Sequence, residues 1–547
     1  MFNLYIYSIS TIFLYYLFGQ TFIKKVEPNF IQFTKCIIYG SSLISFLALT
    51  LNFFTPLTKE INSILFLIIF ILFFKSNFLH VKRNLFFLIL TALLVYLLLF
   101  ASHTYRPDAG LYHLPFINIL NEEKIIFGLT NLHFRFGHTS IIQYLSAINF
   151  NFITGINGIS IPTAVIASAV IINFLTKIKD HIFNKNYNFH FYFLIGIIIY
   201  IFFKMNRYAE YGNDAPAHFL TFYFFSEILS IDKKKININE LLNVCLIGVF
   251  IVFNKITLAL ILIIPLVLII KNKFFIIFKK FNFYFIIFFS ILWVVKNIII
   301  SGCLIYPINA TCNQNLNWSD ISTVDKISLE NEAWTKNWSN YKGEKKISQS
   351  EYIKKFNWLR TWSEKLFNEQ KEKSFAYILI WTIIFFFLLK KSKKNKEYKH
   401  KEFLFLLVLT TSTIVWFIKI PEFRYSYSII ISLITYPFAW ILSNRYYDKN
   451  PKKIFSSILI IFSLIFLFKN LIRIINTNIY YDYPYPRIYS HKDDNKKLKY
   501  DYKLINGKRI YNQKNGYCMY NHNLCTPYKI NIYIENKKGY LFFFKKT

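Results

Sequence analysis

Apolar residues in this chain come in long runs, not in alternation. Fourteen runs of roughly 14 to 20 residues recur, near 2–20, 36–54, 61–74, 84–101, 159–176, 191–203, 216–231, 240–253, 257–270, 282–300, 375–389, 403–418, 425–443 and 454–471. A helix crossing the hydrocarbon core needs about 20 such residues, or slightly fewer when flanking side chains snorkel. The pattern therefore predicts an all-α polytopic membrane protein with about 14 transmembrane helices. Two polar stretches interrupt it. In 301–374, Trp334, Trp338 and Tyr341, then Ile353, Phe356, Leu359 and Trp362, fall at helical spacing and predict interfacial helices forming an outer lid loop. In 472–547, the turn signals Asn506-Gly507 and Asn515-Gly516 and the alternation Ile530 to Ile534 predict a small β-rich outer domain. The layout is then N-terminal accessory spans in 1–83, a seven-span module in 84–300, the lid loop, further spans in 375–471 and the C-terminal domain.

Composition removes the alternatives. Hydrophobic residues make up 54%, with 62 Phe and 39 Tyr against 15 Gly and 14 Pro. That excludes a soluble, disordered or fibrous chain. Lys and Arg exceed Asp and Glu by 35, an excess that in a soluble chain would point to nucleic acid but here follows the loops. Alternate loops, beginning with 21–33, hold 26 Lys and Arg, whereas the short loops on the other face hold 9. The positive-inside rule puts the first set in the cytoplasm. Both termini are then expected outside a bacterial cytoplasmic membrane, and no nucleic-acid partner is expected.

Cys36 and Cys245 fall inside spans, while Cys303 with Cys312 and Cys518 with Cys525 form two close pairs in the outer segments, where disulfides are expected. No glycine-rich phosphate loop, nucleotide fingerprint or zinc-protease motif is present.

Chemistry concentrates in outer loops. The loop 102–139 is far longer than the about 2 to 8 residues that joining two helices takes. It carries Asp108, Tyr112, His113, Glu122, His133 and Arg135. Asp108, just beyond the fourth span, can act as a general base, hold a divalent cation such as Mg or Mn, or simply cap a helix. The loop 204–215 brings Glu210 and Asp214 to the same face; Asp214 could equally open the next helix with Pro216 in its first turn. Arg207, Lys255, Lys296 and Arg424 fall at the level of lipid phosphates, as snorkelling anchors or as ligands of a donor phosphate.

This order of elements resembles the GT-C superfamily of membrane glycosyltransferases, in which a span leads to a long first outer loop with a functional Asp. Two spans, a short second outer loop with an acidic residue, further spans and a large outer loop then follow. The likeness covers roughly 84–374, making 84–300 a GT-C-like module. It implies that Asp108 activates the acceptor or binds metal, with Asp214 as its partner. Three extra spans and an outside N-terminus depart from the usual pattern. The strings DAGLYHLP at Asp108–Pro115, GLTNLH at Gly128–His133, Ser301-Gly302 with Tyr306-Pro307, and Cys525-Thr526-Pro527-Tyr528 are similar to those of an uncharacterised family of bacterial multi-spanning proteins.

The function these features imply is transfer of a sugar from a polyprenyl-phosphate donor to a glycan or lipid acceptor. Asp108 and Asp214 would be catalytic, Lys255, Arg207 and Arg424 would hold donor phosphate, and Tyr112, His113, His133 and Glu210 would bind substrate. A glycan polymerase or ligase, a lipid-linked oligosaccharide flippase and a silent scaffold are the alternatives. The spans read as nearly free of internal charge, which counts against a transporter.

Overall fold

The computed structural model describes residues 2–23, 29–102, 104–105, 108–206, 208–209, 211–231, 237–272, 275–342, 347–370, 374–391, 393–394, 402–446, 451–475, 488–489, 499–513 and 517–546. The chain is mostly helical, with a small β region at its C-terminal end. Five helical stretches are long and apolar enough to cross a membrane: Phe30–Asn52, Asn84–Ala101, Ile161–Phe183, Phe281–Ser301 and Lys452–Ile475. Shorter apolar helices include Phe189–Phe203, Ile238–Asn254, Ala376–Lys390, Phe403–Lys419 and Tyr427–Ser443. The centre of the bundle is the Phe189–Phe203 helix, buried at every position but its last. Such a helix, apolar on all sides, has neighbours on all sides.

Two glycines set the closest approach. A Cβ on Gly19 would lie 1.8 Å from the Cys36 carbonyl oxygen, and one on Gly40 would lie 1.8 Å from that of Tyr15. The first helix, Phe2–Gln20, and Phe30–Asn52 therefore touch backbone to backbone, a contact that small residues alone permit.

Two spans were expected at 61–74 and 84–101, joined by a loop at 75–83. The structure has helical backbone throughout Lys59–Ala101, yet both arms pack on the first helix. The Asn84 amide donates to the Tyr16 hydroxyl at 2.7 Å, and Tyr5 packs edge-on against Tyr96. Ser10 and Phe13 line one cavity with Ser63 and Phe70. A straight helix would hold Ser63 and Tyr96 about 50 Å apart at 1.5 Å per residue, whereas Tyr5 and Ser10 are separated by less than two turns. The segment therefore doubles back.

Two helical stripes expected in 301–374 are broken. The Ile321–Thr335 helix ends before Asn337, whose φ is 69°, and Trp338 stacks on Tyr341 beyond the break. The second stripe is divided among Gln349–Ile353, a 3-10 turn at Lys354–Phe356 and the Leu359–Gln370 helix. The C-terminal strands are Tyr500–Ile505 paired antiparallel with Lys508–Gln513, Cys525–Thr526 beside the latter, and the hairpin Ile532–Lys537 with Tyr540–Lys545. Asn506 and Gly507, both at positive φ, close the first hairpin as a mirror-image turn requires. Asn515-Gly516 lies outside the described residues. This region rests on the 108–139 segment, where the amides of Phe127 and Phe543 donate to the carbonyls of Leu541 and Phe127, and Met519 donates to the Gly110 carbonyl at 2.9 Å.

Candidate functional site

Asp108 stands before a wide helical turn, Ala109–His113, that runs into the buried Leu114–Glu122 helix. Its carboxylate makes no cap hydrogen bond. It faces Arg424 instead, with Nη1 3.3 Å from Oδ2. Asp214 opens the Asp214–Ser230 helix and forms an ion pair with Lys255, whose side chain is 6% exposed. The Lys255 ammonium also donates to the Arg424 carbonyl at 3.3 Å and sits 4.4 Å from the centre of the Tyr425 ring. Asp108 from the 102–139 segment, Asp214 from the 204–215 segment, Lys255 from the 254–256 turn and Arg424 from the 420–426 connection thus meet at one end of the bundle.

Arg424 is incompletely bonded: its Nε is buried with no hydrogen-bond partner among the described residues, and its second amino group reaches the Tyr425 hydroxyl only at 3.4 Å. Burial works against its charge, but the Asp214 and Asp108 carboxylates outweigh that and hold it protonated. Burial pushes the Tyr425 phenol up, against the pull of Arg424.

The first loop carries its own cluster. The Arg135 guanidinium lies 5.1 Å from the Tyr112 ring centre, and His133 accepts the Arg135 amide on Nδ1 at 3.1 Å. Burial, with Arg135 beside it, pushes the His133 imidazole down to about 3, so it is neutral and holds the loop's shape. His113 pairs with Gln143 at 3.1 Å. A Cβ on Gly212 would come within 3.0 Å of its Nε2, so the first and second loops touch there. Lys296 does not reach the Asp108 cluster; it is buried beside Trp293 and donates to Thr139 at 2.8 Å. Arg207 and Glu210 lie outside the described residues.

Part of the 301–374 segment covers this end. The Arg424 guanidinium and the Lys365 ammonium both sit over the Trp334 ring, at 5.2 and 5.3 Å. Trp362 donates to the Pro421 carbonyl, and Lys365 pairs with Glu422 at 2.6 Å. Cys303 is disulfide-bonded to Cys312, and Cys518 to Cys525. Tyr425 and Gln143 were missed by sequence reasoning and left no local signal, whereas Trp334 was named there as part of the aromatic stripe of the lid loop.

Asp108 and Asp214 each already face a cation, and no grouping of three or more His, Cys, Asp or Glu suited to a metal occurs among the described residues.

A sequence family described as Domain of unknown function (DUF8201) matches residues 1–431. The chain belongs to that family. The match takes in Asp108, Asp214, Lys255 and Arg424 and stops short of the β region, so the whole cluster lies within the DUF8201 part of the chain. No curated protein and no solved structure matches the chain.

A second charged group is also inside the bundle, where the sequence pattern implied almost none. Glu227 pairs with Lys35 at 2.9 Å and with Lys177 at 2.7 Å. All three lie within about two turns of a helix end, opposite the Asp108 cluster.

Proposed function

We propose that this DUF8201 protein is an integral membrane glycosyltransferase of GT-C type, moving a sugar from a polyprenyl-phosphate donor to a glycan or lipid acceptor. The observation that carries the reading is the convergence of Asp108, Arg424, Lys255 and Asp214 at one end of an apolar bundle, with an under-bonded Arg424 at its centre. In this reading the chain crosses the membrane fourteen times with both termini outside, and the cluster faces the outer leaflet.

The acceptor hydroxyl attacks the anomeric carbon and gives its proton to Asp108. The bond to the donor phosphate breaks, and its electron pair leaves on the phosphate oxygen. Arg424 and Lys255 stabilise that charge, as fixed cations in a poorly solvated site do. Asp214 holds the Lys255 ammonium in place. Trp334 and its neighbours limit access of water. An outer Arg and several His residues also suit a glycan polymerase or ligase, which would transfer whole chains.

Deleting the gene and profiling surface glycans and lipid-linked sugars tests the reading. A sugar should vanish from the surface and its polyprenyl-linked donor accumulate, with restoration by the wild-type gene but not by Asp108→Asn. Accumulation of full-length lipid-linked chains would favour the ligase reading. Unchanged glycans and lipid-linked pools would overturn both.

A further inference from the structure

The wide turn that follows Asp108 has a gap in its hydrogen bonding. Its closing bond runs from the Leu114 amide to the Ala109 carbonyl, five residues back. The next bond of that pattern would run from residue 115 to the Gly110 carbonyl, but residue 115 is Pro and has no N–H. The β region supplies the missing donor: the Met519 amide reaches the Gly110 carbonyl at 2.9 Å. The fit is close. A Cβ on Gly110 would collide with the Met519 sulfur and lie 3.2 Å from Tyr517 Cδ1.

Met519 belongs to a loop closed by the Cys518–Cys525 disulfide. Met519 and Leu524, the residues just inside the two cysteines, both have left-handed backbone, at φ 53° and 56°. Neither is Gly, so each conformation is strained and lasts only while its surroundings enforce it. The disulfide ties these two strained ends together, and all four residues are at most 2% exposed. From this base the β region meets the 108–139 segment again. The Tyr520 hydroxyl donates to Asn121 at 3.0 Å, Asn523 donates to Glu123 at 3.1 Å, and Tyr528, just beyond Cys525, packs edge-on against His133. The Asp108 side chain itself is lightly restrained, with no cap bond and, among the described residues, one long pair to Arg424. Its place is therefore set by the backbone of the turn.

We infer that the loop 518–525 is a positioning element for Asp108, with Met519 as the residue that secures the turn and the disulfide as the clamp that secures Met519. The loop comes from beyond residue 431, where the DUF8201 match ends, so the brace is added from outside the family part of the chain. Its grip on the turn follows from the geometry; its consequence for sugar transfer rests on the proposed function.

The test uses the full chain in lipid nanodiscs. The double variant Cys518→Ser, Cys525→Ser should speed hydrogen exchange at Met519 and across 109–114 about 3- to 10-fold, the protection that one hydrogen bond gives, with exchange in Asp214–Ser230 unchanged. Transfer should fall about tenfold in kcat with donor KM near that of wild type, because the base is misplaced while Arg424 and Lys255 stay where they are. A second pair of variants serves if the chain fails to fold without the disulfide. Gly110→Ala should raise exchange and lower kcat in the same way, and adding Met519→Ala, which makes room for the new methyl, should restore both. Unchanged exchange across 109–114 in these variants, faster exchange with an unaltered kcat, or a Gly110→Ala defect that Met519→Ala does not relieve would each overturn the proposal. Wild-type protein that transfers no sugar would sink the glycosyltransferase reading instead, and the exchange results alone would then decide whether the loop secures the turn.

Discussion

The two charged groups of this bundle are built differently. Glu227 lies between two ammonium groups at 2.7 and 2.9 Å, and the three side chains are 9 to 19% exposed. Asp108 and Arg424 face each other at 3.3 Å with side chains about three-tenths exposed, and the Arg424 Nε is buried without a partner. A tight, desolvated group cannot give up a partner without leaving a buried charge uncompensated. A long, half-wet pair can exchange one partner for another at small cost. The first arrangement fixes helices; the second, in the proposed function, lets the cation take up the donor phosphate.

The largest effect that would break this contrast is at Glu227. Glu227→Gln leaves two poorly solvated ammonium groups facing each other and should destabilise the protein by about 3–5 kcal/mol, seen as a lower melting midpoint in detergent. Replacing the whole group (Lys35→Met, Glu227→Leu, Lys177→Met) should recover most of that loss. A Glu227→Gln protein as stable as wild type would remove the distinction.

Asp108→Asn should do the reverse. Its pair is loose and makes no cap bond, so the midpoint should stay near that of wild type, while sugar transfer in vesicles should fall about 100-fold or more, the range that loss of a general base gives. A variant that unfolds without losing specific activity would put Asp108 in the same class as Glu227.

How much of this was legible in the sequence follows from separation along the chain. The apolar runs and the β-rich end need only local pattern, and helices and strands stand where those patterns lie. Asp108, Asp214, Lys255 and Arg424 could be singled out by their placement at helix ends. Their pairing could not, because Asp108 and Arg424 are 316 residues apart and nothing local links them. Glu227, Lys35 and Lys177 were not singled out, because nothing local links three charges so far apart along the chain, so the buried group was missed. Asn337 hid its effect as well, since one residue at positive φ breaks a stripe that periodicity carries through.

Arg424→Lys sharpens the outer half of the comparison. Lysine keeps the charge but loses the fork that could meet two phosphate oxygens at once. Transfer should drop about tenfold, a difference of roughly 1.4 kcal/mol, chiefly in donor KM. Equal rates with Lys would mean that Arg424 acts as charge alone.

The smallest effect concerns a partly exposed ion pair away from both groups. Asp320 caps the Ile321–Thr335 helix by accepting the Thr323 amide, and it pairs with Lys545 of the last strand, itself about half exposed. Burial raises the Asp320 carboxyl, but bonds from Lys545, Thr323 and Ser322 outweigh this and bring it down to about 2. A carboxyl whose folded pKa lies below its unfolded value of about 3.9 adds stability above pH 4, and that contribution is lost as pH falls toward 2. Asp320→Asn keeps a capping oxygen and removes only the charge, so at neutral pH it should cost less than about 1 kcal/mol, water screening the half-exposed lysine. The gap from wild type should close between pH 4 and pH 2. Asp320→Ala loses the cap too and should cost about 1 kcal/mol more. A cost for Asp320→Asn as large as that for Glu227→Gln would show that exposure does not set the strength of ion pairs in this protein, and the contrast between its two ends would lose its physical basis.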